Sequence, residues 1–359
     1  MMHSRERVLT AINHQEPDRV PVNYMANPEI DKRLKKHFGL SEDDHIGLRR
    51  ALGVDFYHDC PFYNGPRIHP EAEGRNVDEW GVHTRWIEHG SGGYWDFCDF
   101  PLEHAEGEAL ANYTLPDPDH YDYDAAVKRF QQHDDFCRIT GHAGIADIIN
   151  HTGRMRSMEQ VLCDIALEDE AYFILVGRYV DQQLAVYERF LSKARGQIDM
   201  FWMGEDLGTQ IAPMINPAAY KKLIRPFHQK YVDLAQSFDL PVMVHSCGSS
   251  SWAFEDFIEM GVSVVDTLQP EAANMSPAYL KKTFGDRLAF HGCISTTGPV
   301  SFGTVDDVVA DCRNILELMM PGGGYCFAPT HALQDNSPTE NVLTMYETAM
   351  AHGAYCREL

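Results

Sequence analysis

His245 and Cys247 stand two residues apart in "VMVHSCGSS", at the end of an apolar run and just ahead of small, turn-prone residues. On a strand, side chains at i and i+2 point to the same side with Cα atoms ~6.5 Å apart, so both can reach one ion. Mixed imidazole and thiolate ligands favour zinc, which binds the deprotonated thiol. The competing reading is a hydrogen-bonded histidine beside a small buried thiol. Two ligands are too few, and His331 in "FAPTHALQDNSPTEN" is the expected third, with Cys293, Cys326 and Glu205 as rivals for that place. Three protein ligands leave zinc a vacant position for substrate, as catalytic sites do.

Other reactive side chains cluster in similar contexts. Glu205 and Asp206 in "WMGEDLGTQ" read as a catalytic pair that could shuttle a proton or orient substrate, or as a helix N-terminal cap. Asn23, His58, His142, Gln269 and Cys293 are expected to line the substrate site, with His151 a weaker candidate. Gly322 to Gly324 precede a strand rather than a helix, so they do not read as a phosphate-binding loop. No dinucleotide fingerprint, P-loop or nucleophile elbow is present.

Eight short apolar runs must position these residues: "VPVNYM", "VDFYHD", "CRITGHA", "MFWMGED", "VMVHSCG", "VSVVDTLQ", "LAFHGCI" and "GYCFAP". Each ends in a polar or glycine-rich turn and suits a strand buried on both faces of a parallel sheet. Helical patterns lie between them, among them 216–238, 252–260, 276–284 and 304–320. Eight strand-helix units predict an α/β fold, a (β/α)8 TIM barrel, in a single domain over 1–359. The reactive residues all fall at or just after strand C-termini, which is the active face of a barrel. Residues 61–121 break the alternation, and "RNVDEWGVHTRWIEHGSGGYWDF" reads as a hairpin inserted after the second strand to shape the barrel mouth.

With 53 acidic residues against 30 Lys and Arg, the formal charge of −23 repels phosphate backbones and anionic lipids, so nucleic acid and membrane surfaces are excluded as main partners. Nine cysteines without repeated spacing read as free thiols of a reducing compartment. No window approaches the ~20 apolar residues of a membrane span, and the N-terminus lacks a signal-peptide core, so a cytoplasmic location is expected. A homo-oligomer is compatible with the sequence, which does not set the oligomeric state.

Several segments in order resemble the uroporphyrinogen decarboxylase-like superfamily: "RERVLTAINHQEPDRVPV", "EDLGTQIAPMINPAAYKKLIRPFHQK", "VHSCGS", "FGDRLAFHGCIS" and "PGGGYCFAPTHALQDNSPTENVLTMYE". The resemblance spans nearly the whole chain and implies one of two chemistries. Decarboxylases of this superfamily carry an Arg-Gln-Ala-Gly-Arg clamp for substrate carboxylates after the first strand; here Ala26 and Asn27 stand where it should begin. The zinc-dependent branch, which moves methyl groups to or from a corrinoid on a partner protein, carries a His-x-Cys pair and a later cysteine ahead of Pro-x-x-Glu-Asn. His245 and Cys247 match the pair, and His331 stands in place of the cysteine. The resemblance therefore implies Zn2+, a cobalamin supplied by a corrinoid-binding partner, and a small methylated substrate. Trp80, Trp86, Tyr94, Trp95 and Phe97 in the insertion point to an aromatic methyl ether and an O-demethylase. Methyl transfer between methylcobalamin and a thiol of the coenzyme M type, and a metal-free decarboxylation, are the alternatives.

Overall fold

The computed structural model describes residues 2–89 and 92–355. Among the described residues ten strands occur in chain order: β1 (Phe56–Asp59), β2 (Asn76–Val77), β3 (His83–His89), β4 (Gly92–Phe97), β5 (Cys137–Gly141), β6 (Met200–Gly204), β7 (Val242–His245), β8 (Val264–Thr267), β9 (Ala289–Ile294) and β10 (Tyr325–Pro329). Seven of them form one parallel sheet in the order β1-β5-β6-β7-β8-β9-β10. Each neighbour follows its predecessor in sequence apart from the excursion through β2 to β4, so consecutive parallel strands are joined by helical crossovers. Every residue of β5 to β10 is buried, which explains why these runs are apolar along their whole length rather than alternating.

The sheet curls into a TIM-barrel-like α/β fold. Its two edges meet through the segment 20–23, where the Phe327 N–H donates to Pro21 O at 2.8 Å, the Asn23 N–H to Phe327 O at 2.9 Å and the Asp55 N–H to Val22 O at 2.8 Å. The run "VPVNYM", expected as a full first strand, is reduced to a parallel bridge at Val22 and Phe327 and another at Ala26 and Leu333. Pro21 is the physical reason, since it can accept but not donate in a ladder. Beneath this segment the buried Asp55 carboxylate takes Arg7 at 2.7 Å, Arg19 at 2.6 Å and the Val22 N–H at 2.9 Å, tying the N-terminal segment to the start of β1.

Helices pack against the outer faces of the strands. The helix Val305–Met319 opens with a capping box, Thr304 and Asp307 each satisfying the other's backbone N–H, and buries Val308, Cys312, Ile315 and Met319 at helical spacing. The pattern expected as one helix over 216–238 is interrupted. Pro217–Ala219 leads into a π turn at Tyr220–Ile224, and a regular helix resumes over Arg225–Gln236. Pro226 lacks an N–H and its ring crowds the carbonyl four residues back, so the coil widens there.

Within the expected insertion, β3 and β4 pair antiparallel, with Trp86 opposite Trp95, and β2 adds to β3 as an edge of a separate three-stranded sheet. Residues 90–91, part of the expected hairpin, lie outside the described residues. Trp86, Tyr94 and Trp95 are each about half exposed. Among the described residues no helix is long and apolar enough to cross a membrane, and the eight described cysteines are all free.

Candidate metal centre

The turn after β7 and the turn after β6 face each other because β6 and β7 pair in register, Gly204 opposite His245. Cys247 follows His245 by two residues and Asp206 follows Gly204 by two, so both chains deliver a side chain to one point. The ligating atoms of Asp206, His245 and Cys247 all lie within 4.8 Å of one another, and among the described residues this is the one such gathering of three. Cys247 Sγ is 3.3 Å from His245 Nε2, and Asp206 Oδ1 is 3.7 Å from the same nitrogen. Ligands of a tetrahedral zinc sit ~3.3–3.8 Å apart, so the nitrogen is already spaced from both the sulfur and the oxygen as it would be around an ion of that kind.

The other ring nitrogen of His245 is fixed. Its Nδ1 lies 2.7 Å from Asp266 Oδ2 and 2.6 Å from Thr267 Oγ1, which leaves Nε2 facing Cys247. A carboxylate behind the imidazole is the usual way to set tautomer and ring angle at a metal ligand. Asp266 serves a second imidazole as well, with His291 Nδ1 2.5 Å from Oδ1, and His291 Nε2 in turn meets Asn23 Nδ2 at 3.0 Å. Burial works against charge on Asp266, yet His291 and His245 pull its carboxyl well below the ordinary range. Burial also works against a charged His245, but Asp266 and Cys247 outweigh it and hold the imidazole well above its ordinary value. Burial pushes the Cys247 thiol upward despite His245. The cluster thus favours positive charge at the point between these atoms, where a divalent cation can displace the proton.

Thr267 holds a φ of +89°, an uncommon conformation for a β-branched residue, and it brings the hydroxyl onto His245. Gly292, opposite it on β9, has a φ of +124°, and a Cβ there would lie 2.3 Å from Thr267 O. Only glycine lets the two backbones approach so closely beside the cluster.

The predicted residues fall into three groups. His245, Cys247 and Asp206 come together. Asn23 and Gln269 adjoin the cluster: Asn23 meets His291 at 3.0 Å, and Gln269 Oε1 accepts the Gly248 N–H at 2.6 Å, fixing the turn after Cys247. The remaining residues stand apart. His331 is exposed, its Nδ1 3.3 Å from Gln334 Nε2, and it is not among the converging side chains. Cys293 and Cys326 are buried thiols, driven upward by desolvation, and do not join the group. His58 contacts Gly141 O and His142 is exposed beside Gly144, both bordering a separate cavity.

Glu205 turns away from its neighbour Asp206. It is fully buried and accepts the Ile148 N–H at 2.9 Å and the Ile149 N–H at 3.0 Å, the first free donors of the helix Ile148–Arg156. Burial pushes its carboxyl up to about 8, and burial together with Glu205 raises Asp147. Glu205, expected as a catalytic residue, thus seats the helix whose Asn150 donates to Asp206 Oδ2 at 3.0 Å.

His228 completes this buried layer, with Nε2 3.1 Å from Ala146 O and 3.3 Å from Glu205 Oε2, and burial pushes it down to about 4. In the unfolded chain histidine titrates near ~6.5, so the folded state is at a disadvantage once protons bind the unfolded chain first. Its stabilising contribution is intact above that value and is lost as pH falls towards about 4. As pH is lowered from 7 to 4, the melting temperature of the wild type should fall relative to that of His228→Gln, which lacks this contribution.

Asp266, His291 and Thr267 were not foreseen as site residues. Their signal was present: a carboxylate and an imidazole inside runs otherwise apolar enough to be buried need partners, and each is the other's.

Residues 197–352 match the uroporphyrinogen decarboxylase (URO-D) family. No curated protein sequence matches the chain. Among solved structures, a methyltransferase from Methanosarcina mazei superimposes with a TM-score of 0.67 at 16% identity, covering 98% of this chain and 99% of that one. A xylanase 10B from Thermotoga maritima gives a TM-score of 0.40 at 11% identity over 66% of this chain and 82% of its own.

Proposed function

We propose, from a chain whose residues 197–352 are of uroporphyrinogen decarboxylase type, that the protein is a zinc-dependent methyltransferase. It would move a methyl group between a small methylated compound and the corrinoid of a partner protein. The observation that carries this reading is the convergence of His245 Nε2, Cys247 Sγ and Asp206 Oδ1 at the C-terminal ends of parallel strands. These three would hold the ion, Asp206 taking the place that the sequence suggested for His331.

A methyl group on oxygen is a poor electrophile because its leaving group is basic. Zinc, when bound, supplies a Lewis acid that lowers the charge the leaving heteroatom must carry. The chain's own residues supply the rest. Asp266 and Thr267 keep Nε2 of His245 directed at the site, Asn150 holds Asp206, and Gln269 fixes the turn that carries Cys247. The missing arginine clamp after the first strand argues against a porphyrin substrate.

Elemental analysis of the purified protein should give stoichiometric zinc. Methyl transfer to free cob(I)alamin, followed by absorbance, should proceed with a methoxylated aromatic in a panel that also includes methylamines and methanol. Protein without zinc and without transfer from any donor would overturn the proposal.

A further inference from the structure

A second site lies beside the metal cluster. A cavity of about 400 Å³, the size that takes one small molecule, is bordered by the ends of β1 and β5, the helix Glu170–Lys193 and the segment 61–121. Its walls include Phe62, Trp80, Tyr121 and Tyr187. Two buried polar atoms of its lining have no hydrogen-bond partner: His151 Nε2, on a side chain 7% exposed, and Gln182 Oε1, on one 8% exposed. Buried polar atoms in folded proteins are almost always paired, so His151 Nε2 indicates a missing partner, whereas Gln182 Oε1 only accepts and calls for a donor such as water rather than an anion. Arg154 also lines it. Its guanidinium lies against the Phe97 ring at 4.8 Å, and among the described residues it has no carboxylate partner.

None of the acidic side chains of the lining forms an ion pair with Arg154, although Asp78 and Arg154 attract each other at longer range. Asp59 is engaged by Arg129, 3.0 Å from its Nη2, and by the Tyr57 hydroxyl at 2.9 Å. Asp78 accepts the backbone N–H groups of Trp80 and Val82 at 2.9 and 2.8 Å. Glu79 remains, and burial pushes its carboxyl up, towards the uncharged form.

The helix Ile148–Arg156 connects the two sites. Asn150 donates to Asp206 of the metal cluster, whereas His151 and Arg154 line the cavity. Residues four apart share a helix face and are separated by about one turn, ~5.4 Å along the axis, comparable to the distance across a substituted benzene ring. Trp202 stands between the sites as well, its ring 5.5 Å from that of His58 and 6.5 Å from that of His245. The geometry points to this cavity as the seat of a small aromatic carboxylate, its anionic group on Arg154 and His151 and its ring among Trp80, Tyr121 and Tyr187. This rests on the methyltransferase reading only for what happens at the other end of the ligand; binding itself needs no metal.

Calorimetric titration with 4-methoxybenzoate and with its neutral analogue 4-methoxybenzamide tests the assignment. Wild-type protein should bind the carboxylate at least tenfold more tightly than the amide. Arg154→Gln should abolish that preference, and Arg154→Lys should keep part of it, with zinc content unchanged in both. Cys247→Ser should still bind the carboxylate, so failure of the metal reading and failure of this one are separable. Equal affinity for carboxylate and amide, or Arg154→Gln binding within about twofold of wild type at unchanged melting temperature, would overturn it.

Discussion

Cys247→Ser should lose both its zinc and its methyl transfer while keeping its fold. Altering a mere supporting partner of a ligand costs 10–100-fold in metal affinity or activity, so removing a ligand is expected to cost more than ~100-fold. Serine is close in size to cysteine, and Cys247 is only half-buried at a turn, so melting temperature in the presence of chelator should match that of chelated wild type. That comparison separates loss of the metal from loss of the structure. Asp206→Asn should behave similarly with a smaller effect, because its Oδ1 also accepts the Cys247 N–H at 2.8 Å, a bond the amide oxygen can keep. Stoichiometric zinc and undiminished transfer in Cys247→Ser would remove the basis of the proposed centre.

Glu205→Ala is the second change with a large expected effect, and here the loss is first of stability. The carboxyl satisfies two buried N–H groups at the start of the helix Ile148–Arg156 and meets His228. Leaving two buried donors unpaired costs about 2–6 kcal/mol, before any cavity is counted. The consequence for activity follows from position. That helix carries Asn150 to Asp206 and His151 and Arg154 to the neighbouring cavity, so loosening its N-terminus disturbs both sites together. Glu205→Gln is neutral like the protonated acid that burial favours and keeps one of the two acceptors, so it should be more stable and more active than Glu205→Ala. Chemical denaturation and transfer assays on the two variants check this. A Glu205→Gln enzyme as inactive as Cys247→Ser, yet fully folded, would instead assign the carboxyl a direct part in the reaction.

The strands were legible because a parallel sheet buried on both faces needs runs that are apolar throughout, and seven of the eight expected runs are strands of the sheet. The eighth was overestimated because Pro21 leaves a ladder too sparse for a full strand. The break at Pro226 was visible in principle, since a proline ten residues into a helix must distort it. At the site, His245 and Cys247 were legible from a two-residue spacing that any strand turns into proximity. Asp206 was legible as reactive but not as a neighbour of Cys247, because that contact depends on the register of β6 against β7, which spacing along one strand does not encode. The same limit explains Glu205. Two adjacent acidic residues after a strand point to opposite sides, and sequence alone does not say which side is the helix terminus and which the open mouth.

The junction made by residues 20–23 has a consequence for how the chain comes to be built. Val22 pairs with Phe327, so partners roughly 300 residues apart must find each other, a closure among the most non-local the fold contains. During synthesis the N-terminal segment is made first and waits until nearly the whole chain has followed. Through that interval both margins of the growing sheet present unpaired amides, the hazard that a ring of strands removes once it is joined. The last strand to emerge is therefore the one that ends the nascent protein's exposure to mispairing.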